Sequence, residues 1–292
     1  MTPPRADAPD PAGPGTPAGP GTPARPGTPA RPGTPAGPGL TAAPGLAERD
    51  ELAGRVALVT GGSGGIGRAL SRRLAAAGAA VAVGYGQHAE AATDTAAQIT
   101  AAGGRAAAVG ADLRDTSGPG DLIQAAENAL GPVDVLVSNA GLGGTKALAE
   151  VTTADFDAMI AVNLRAPFLL AQRILPGMAD RGFGRILFVS SVAAFTGGIV
   201  GPHYAASKAG LNGLTHFLAS RYASAGVTVN GLAPALITET GMLPGDPGDL
   251  SRQIQAGRLG RPDEVADLAL AILRNAYLTN QVISLDGGMY PR

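Results

Sequence analysis

From Arg55 onward, short apolar runs alternate with longer, Ala-rich amphipathic segments. A short apolar run bounded by glycine or a turn residue reads as a strand buried on both faces. A longer segment with apolar positions three and four apart reads as a helix. On this reading 56–60 is a strand, and 66–77 is a helix ended by Gly78. Residues 81–85 form a strand, 89–102 a helix closed by Gly103-Gly104, and 106–110 a strand. Residues 121–130 form a helix closed by Gly131-Pro132, and 133–138 a strand. A long helix is expected from about 154 to 178, bent at Pro167. Strand 185–190, helix 204–223, strand 227–232, helix 263–273 and strand 281–285 complete the series. Seven strands alternating with helices predict right-handed crossovers. The fold class is therefore α/β, a doubly wound seven-stranded parallel sheet covered on both faces. In such a sheet the ligand crevice lies at the carboxyl ends of the strands.

Residues 1–50 break the pattern. From Gly15 to Pro38 a unit GTPA(G/R)P repeats four times. Glycine does not recur at every third position, so collagen is excluded. Little is apolar enough to bury, and proline blocks helix and sheet. A disordered Pro/Gly/Thr-rich tail is expected, followed by one domain over 51–292. The tail reads as an inert extension, with a docking or spacing arm as the alternative.

The chain has 292 residues, 45% of them hydrophobic, and a formal net charge of -1. That suffices for one medium domain with a sizeable core. Near-neutral charge without a basic cluster argues against a nucleic-acid partner. There is no cysteine, which excludes disulfide, zinc-thiolate and thiol chemistry. No apolar run approaches the roughly 18 residues of a membrane span. The N-terminus lacks the apolar core of a secretory signal. A soluble, cytoplasmic protein without membrane partners is expected.

The candidate chemistry centres on Tyr204-Ala205-Ala206-Ser207-Lys208. Helical spacing sets the phenol of Tyr204 beside the ammonium of Lys208. Ser191 stands at the end of the preceding strand. Together the three suit proton transfer to or from a carbonyl oxygen. The chain has five tyrosines but two lysines among 22 basic residues. Random placement would give about 0.03 such pairs, the false-positive rate to hold against the motif. Arginine's broad fork cannot replace a compact ammonium beside a phenol. A second cluster, Thr60-Gly61-Gly62-Ser63-Gly64-Gly65-Ile66-Gly67, lies between a strand and a helix. That context turns a weak glycine signal into a pyrophosphate-binding one.

With Asn139-Ala140-Gly141 added, this set resembles the short-chain dehydrogenase/reductase family, over about residues 52–289. The texture of GRLGRPDEVA at 257–266 and QVISLDGG at 281–288 is most similar to bacterial beta-ketoacyl-acyl-carrier-protein reductases. The resemblance implies a Rossmann-like enzyme that reduces a small-molecule or carrier-bound carbonyl, with a homotetrameric assembly. It implies Tyr204 as acid–base residue and Ser191 as the hydrogen-bond partner of the carbonyl oxygen. Lys208 would bind the nicotinamide ribose and lower the tyrosine pKa, and Asn163 would anchor a water relay. Asp112 and Leu113 would hold the adenine, and Asn139 would steady the sheet beside the cofactor. Ile237 and Thr238, after Pro234, match the segment that holds the carboxamide. An ammonium about 4 Å from a phenol is worth about 4 kcal/mol at an effective dielectric near 20. That is about three pKa units, which would bring the tyrosine near 7.

Two positions depart from the family pattern. Ala235 replaces the glycine that usually follows Pro234, which restricts that turn. The second strand ends Gly84-Tyr85-Gly86-Gln87-His88, with no carboxylate for a ribose 2′-hydroxyl. That favours NADP, with NAD possible. The basic residues that often meet a 2′-phosphate are also missing, since Gly64 and Gln87 occupy their places. His88 reads as a solvent-exposed loop residue and Lys146 as a solvated lysine. Residues 240–250 read as a mobile substrate lid. The alternatives are an alcohol, sugar or polyol dehydrogenase and a non-catalytic cofactor-sensing regulator. The regulator would be expected to lose the tyrosine or the lysine, and both are present.

Overall fold

The computed structural model describes residues 52–241, 250–252 and 254–290. The tail expected over 1–50 lies outside the described residues, as do 242–249 of the expected lid.

The seven apolar runs pair as one parallel sheet in the order β3-β2-β1-β4-β5-β6-β7. The strands are β1 (Val56–Val59), β2 (Ala80–Tyr85), β3 (Ala106–Gly110), β4 (Val135–Ser138), β5 (Gly184–Val189), β6 (Val227–Pro234) and β7 (Val282–Leu285). Helices α1 (Gly65–Ala76), α2 (Ala89–Ala101) and α8 (Pro262–Arg274) cover one face. Helices α3 (Gly118–Leu130), α5 (Ala166–Asp180) and α7 (Pro202–Tyr222) cover the other. Short helices α4 (Thr153–Ile160) and α6 (Ala193–Thr196) complete the named set.

Alternation along each strand explains why the runs are apolar throughout. Ala57, Val59, Val81, Val83, Val135 and Val137 enter the core under α1, α2 and α8. Their neighbours Leu58, Ala82 and Leu136 enter the opposite core with Ile186 and Phe188. Each buried Leu, Val or Phe contributes about 1.5–3 kcal/mol of hydrophobic stabilisation. A polar residue on either face would lose it.

The chain runs from β1 outward to β3, then returns to the other side of β1 as β4. The loops leaving β1 and β4 therefore diverge and open a crevice at their carboxyl ends.

The long helix expected over 154–178 is interrupted. It consists of α4, a π-helical turn at Ala161–Arg165, and α5. Pro167 has no N–H with which to close an α-helical bond on the Asn163 carbonyl. The chain responds with one wide turn in place of the expected bend. The stretch Thr153–Asp180 is also long and apolar enough, by length and composition, to cross a membrane. This corrects the expectation that no run approaches that length. More than half of its most apolar window, 56%, is buried, against α3, α7 and β5. Its apolarity is that of a core helix.

Candidate active site

The turn after β1 is built for close approach. Gly61 has φ +64, a conformation that glycine adopts without strain. A Cβ on Gly67 would stand 2.0 Å from the Gly61 carbonyl oxygen, so α1 can begin this near the turn only with glycine there. The N-cap Gly64 offers no side-chain acceptor, and the first turn of α1 holds no acid. The unsatisfied N–H groups and positive end of α1 thus face the cavity lined by Gly61, Ser63, Gly65, Ile66 and Gly67. That donor set fits a pyrophosphate.

Two polar residues hold this turn to the neighbouring strand. The Thr60 hydroxyl accepts from the Asn139 and Ala140 N–H groups at 3.0 and 2.9 Å. The Asn139 amide donates to the Thr60 and Gly61 carbonyls at 3.1 and 3.2 Å.

The proton-transfer group lies further along the same crevice. Ser191 follows the end of β5. Tyr204 and Lys208 stand one turn apart on α7, and all three are buried. The Ser191 hydroxyl acts on the Tyr204 phenol. Lys208 donates from Nζ to the Val189 carbonyl at 2.8 Å, with Nζ 5.7 Å from the centre of the Tyr204 ring. These contacts correct the expected electrostatics. Burial raises the Tyr204 pKa above its ordinary value, opposed by the Ser191 hydroxyl. Burial also lowers Lys208, to about 8. Here the phenol is shifted by burial and by Ser191 rather than by the ammonium.

Asn163 sits in the π-helical turn, fully buried. Its Oδ1 accepts from the Leu142 N–H at 2.7 Å, and Nδ2 donates to the Leu142 carbonyl at 3.1 Å. Nδ2 also reaches the Ser207 hydroxyl at 3.1 Å, which in turn donates to the Tyr204 carbonyl at 2.7 Å. Asn163 therefore ties the loop after Asn139-Ala140-Gly141 to the helix of the tyrosine. A Cβ on Gly141 would lie 3.4 Å from Asn163 Oδ1 and 3.5 Å from Lys208 Nζ, so these three residues form one cluster.

The groove consists of two contiguous cavities of about 430 and 270 Å³. Both are lined by Gly61, Ser63, His88, Ala140 and Gly141. The larger holds Ser191, Tyr204, Lys208, Pro234 and Ile237. The smaller, at the ends of β2 and β3, holds Thr60, Asp112 and Leu113. Thr238 lies outside both: its N–H and hydroxyl point to the Gly260 carbonyl at 2.9 and 3.3 Å. Thr240 lines the cavity instead, after Glu239 takes φ +60. Alanine at 235 brings no strain, because its φ is not positive and its N–H continues the ladder to Leu285 at 3.0 Å.

Sequence pattern did not single out Ile199, Val200, Leu236, Met289 or Tyr290, which also line the larger cavity. These residues belong to loops without periodicity, so no signal in the chain marks them. Lys146, expected to be solvated, pairs with Asp155 at 2.6 Å while staying partly exposed.

A family model described as short chain dehydrogenase matches residues 55–247. A 3-oxoacyl-[acyl-carrier-protein] reductase of Synechocystis sp. is 38% identical over 82% of this chain and 98% of its own. An acetoacetyl-CoA reductase of Allochromatium vinosum is 36% identical over 81% and 98%. Among solved structures, the angucycline C-6 ketoreductase LanV with bound NADP superposes with a TM-score of 0.77. It is 35% identical over 82% of this chain and 96% of that one. On this sequence and this fold, the chain is an oxidoreductase that belongs to the short-chain dehydrogenase/reductase family.

Proposed function

We propose that this protein is an NADP(H)-dependent carbonyl reductase acting on 3-oxoacyl thioesters, of the 3-oxoacyl-acyl-carrier-protein reductase type. One observation carries the reading: a buried phenol, with Ser191 and Lys208 lining the same cavity, at one end of a groove whose middle is the uncapped start of α1. When bound, the nicotinamide supplies hydride to the carbonyl carbon. Tyr204 donates its proton to the carbonyl oxygen, and Ser191 holds that oxygen by a hydrogen bond. Burial keeps Tyr204 protonated, the state an acid needs in the reductive direction. Lys208, with its pKa lowered to about 8, remains mostly an ammonium at neutral pH and offers donors to the ribose. Asn163 anchors the relay that restores the tyrosine proton. Thr60, Asn139, Asp112 and Leu113 shape the adenosine half, and Pro234 and Ile237 the nicotinamide half.

Two features favour this substrate and cofactor. Ile199, Val200, Leu236 and Met289 give the reactive end apolar walls, which suit an acyl chain. The end of β2 has no carboxylate to repel a 2′-phosphate, and LanV was solved with bound NADP. A homotetramer is part of the proposal, supported by exposed Phe156, Phe168 and Phe217 on α4, α5 and α7. A cytoplasmic location completes it.

The test is a panel of 3-oxoacyl thioesters on CoA and on a carrier protein, cyclic ketones, alcohols and polyols. Each is assayed with NADPH, NADH, NADP and NAD. Thioester reduction by NADPH should be fastest. Faster oxidation of an alcohol or polyol with NAD would replace this reading with that of a dehydrogenase.

A further inference from the structure

A 2′-phosphate at the end of β2 meets no guanidinium from that strand or from the glycine turn, where Gln87 and Gly64 stand. One comes from the exit of the neighbouring strand. β2 and β3 pair through Gly84 with Val109 and Tyr85 with Gly110. The Ala111 N–H continues the ladder to the Tyr85 carbonyl at 3.1 Å. The register therefore sets 111–114 beside 86–88. Gly86, Gln87, His88, Asp112 and Arg114 together line the smaller cavity. Arg114 is the one guanidinium among the described residues that line it.

The main chain of Arg114 is fixed and its side chain is loosely held. Its N–H donates to Asp112 Oδ1 at 2.9 Å, and its carbonyl accepts from the Arg165 guanidinium. The Arg114 guanidinium spans the Asp112 carboxylate, Nε to Oδ1 at 3.0 Å and Nη2 to Oδ2 at 2.6 Å. Both side chains are about half exposed, 53% and 44%. An ion pair this exposed is weakly held, so turning the guanidinium to another anion costs little. As the structure stands, that pairing occupies the carboxylate that an adenine amino group would need.

We propose that Arg114 reads the 2′-phosphate of the cofactor, turning from Asp112 to the phosphate and so freeing the Asp112 carboxylate for the adenine. The planar fork matches a phosphate with two parallel hydrogen bonds. One rotation then satisfies the guanidinium, the phosphate and the carboxylate together. The assignment rests on the NADP(H) reading above.

Calorimetric titration of the full chain with 2′,5′-ADP (adenosine 2′,5′-bisphosphate) and with 5′-AMP tests it without turnover. The two probes differ only by the 2′-phosphate. The parent should bind 2′,5′-ADP at least about fivefold more tightly, and Arg114→Gln should weaken that probe about tenfold. Affinity of the variant for 5′-AMP should stay within about twofold. Arg114→Lys should keep part of the preference, because it keeps the charge and loses the fork. A preference unchanged in Arg114→Gln overturns the assignment alone. Equal weakening of both probes also overturns it, and makes Arg114 a support of the adenine pocket. A parent without preference overturns the NADP(H) reading and the assignment with it. Thermal melting of each variant confirms that the protein titrated is folded.

Discussion

The carboxamide of Asn163 pairs with both main-chain groups of Leu142, accepting its N–H at 2.7 Å and donating to its carbonyl at 3.1 Å. An asparagine side chain thereby stands in for a strand partner at the point where β4 gives way to the loop lining the groove. Asn163→Ala would leave both Leu142 groups unpaired beside a buried void. Leu142 is itself partly exposed, so each lost hydrogen bond costs about 1 kcal/mol. For the two groups together the variant should unfold about 4–8 °C lower, at about 2–4 °C per kcal/mol for a domain of this size. A melting temperature equal to that of the parent would show that the pair contributes nothing.

Tyr204→Phe removes the proton and keeps the packing. Turnover should fall at least about 100-fold, the usual worth of a positioned acid. NADPH affinity, read by fluorescence titration, should stay within about twofold, because the phenol is placed to act on the substrate oxygen. Near-parental turnover would remove Tyr204 from the chemistry.

The sheet was legible because its strands are buried on both faces and thus apolar throughout. The groove was legible because Gly61 and Gly67 leave a mark that no ordinary turn needs. Other features left weaker marks. Pro167 announced a disturbance, but not whether the helix would bend there or widen into the π-helical turn that holds Asn163. The threonine at the nicotinamide end could not be chosen by pattern. The left-handed backbone of Glu239 (φ +60) decides that Thr240, and not Thr238, reaches the cavity. Helical spacing sets Tyr204 and Lys208 one turn apart but does not fix where the ammonium points. The Val189 carbonyl takes Lys208 at 2.8 Å.

Cofactor choice can be turned at the end of β2, provided the right glycine is used. Gly84 is buried, and a Cβ there would stand 2.9 Å from the Val59 carbonyl oxygen. A carboxylate at that position would disturb the sheet. Gly86 is exposed and its nearest neighbour, the Ala111 carbonyl oxygen, is 3.8 Å away. Gly86→Asp should therefore fold normally, repel a 2′-phosphate and offer an acceptor to a 2′-hydroxyl. The ratio of kcat/KM for NADPH over NADH should fall about 5- to 30-fold, or 1–2 kcal/mol. An unchanged ratio would place the 2′ position elsewhere.

The burial of Lys208 sets a pH dependence whose sign can be worked out. Its pKa falls from 10.5 to about 8 on folding, through desolvation. The folded protein thus binds fewer protons at this site than the unfolded chain between pH 8 and 10.5. Stability rises with pH wherever the unfolded state holds more protons. Below pH 8 both states carry the charge, and burying it costs about 3 kcal/mol, from about 1.4 kcal/mol per pKa unit. That cost is relieved as the pH rises through the folded value. Tyr204 acts in the opposite sense: its raised pKa makes it lose stability only above its ordinary value near 10. The window from pH 8 to 9.5 therefore isolates the lysine. Lys208→Met fills nearly the same space without a titrating group. Urea unfolding of both proteins at half-unit steps from pH 7 to 9.5 gives the difference in unfolding free energy. Between pH 8 and 9.5 that difference should move in favour of the parent by about 2 kcal/mol, about 1.4 for each pH unit. Groups common to both proteins cancel. Parallel curves, or a parent that loses ground as the pH rises, would mean that Lys208 is not desolvated in the folded protein.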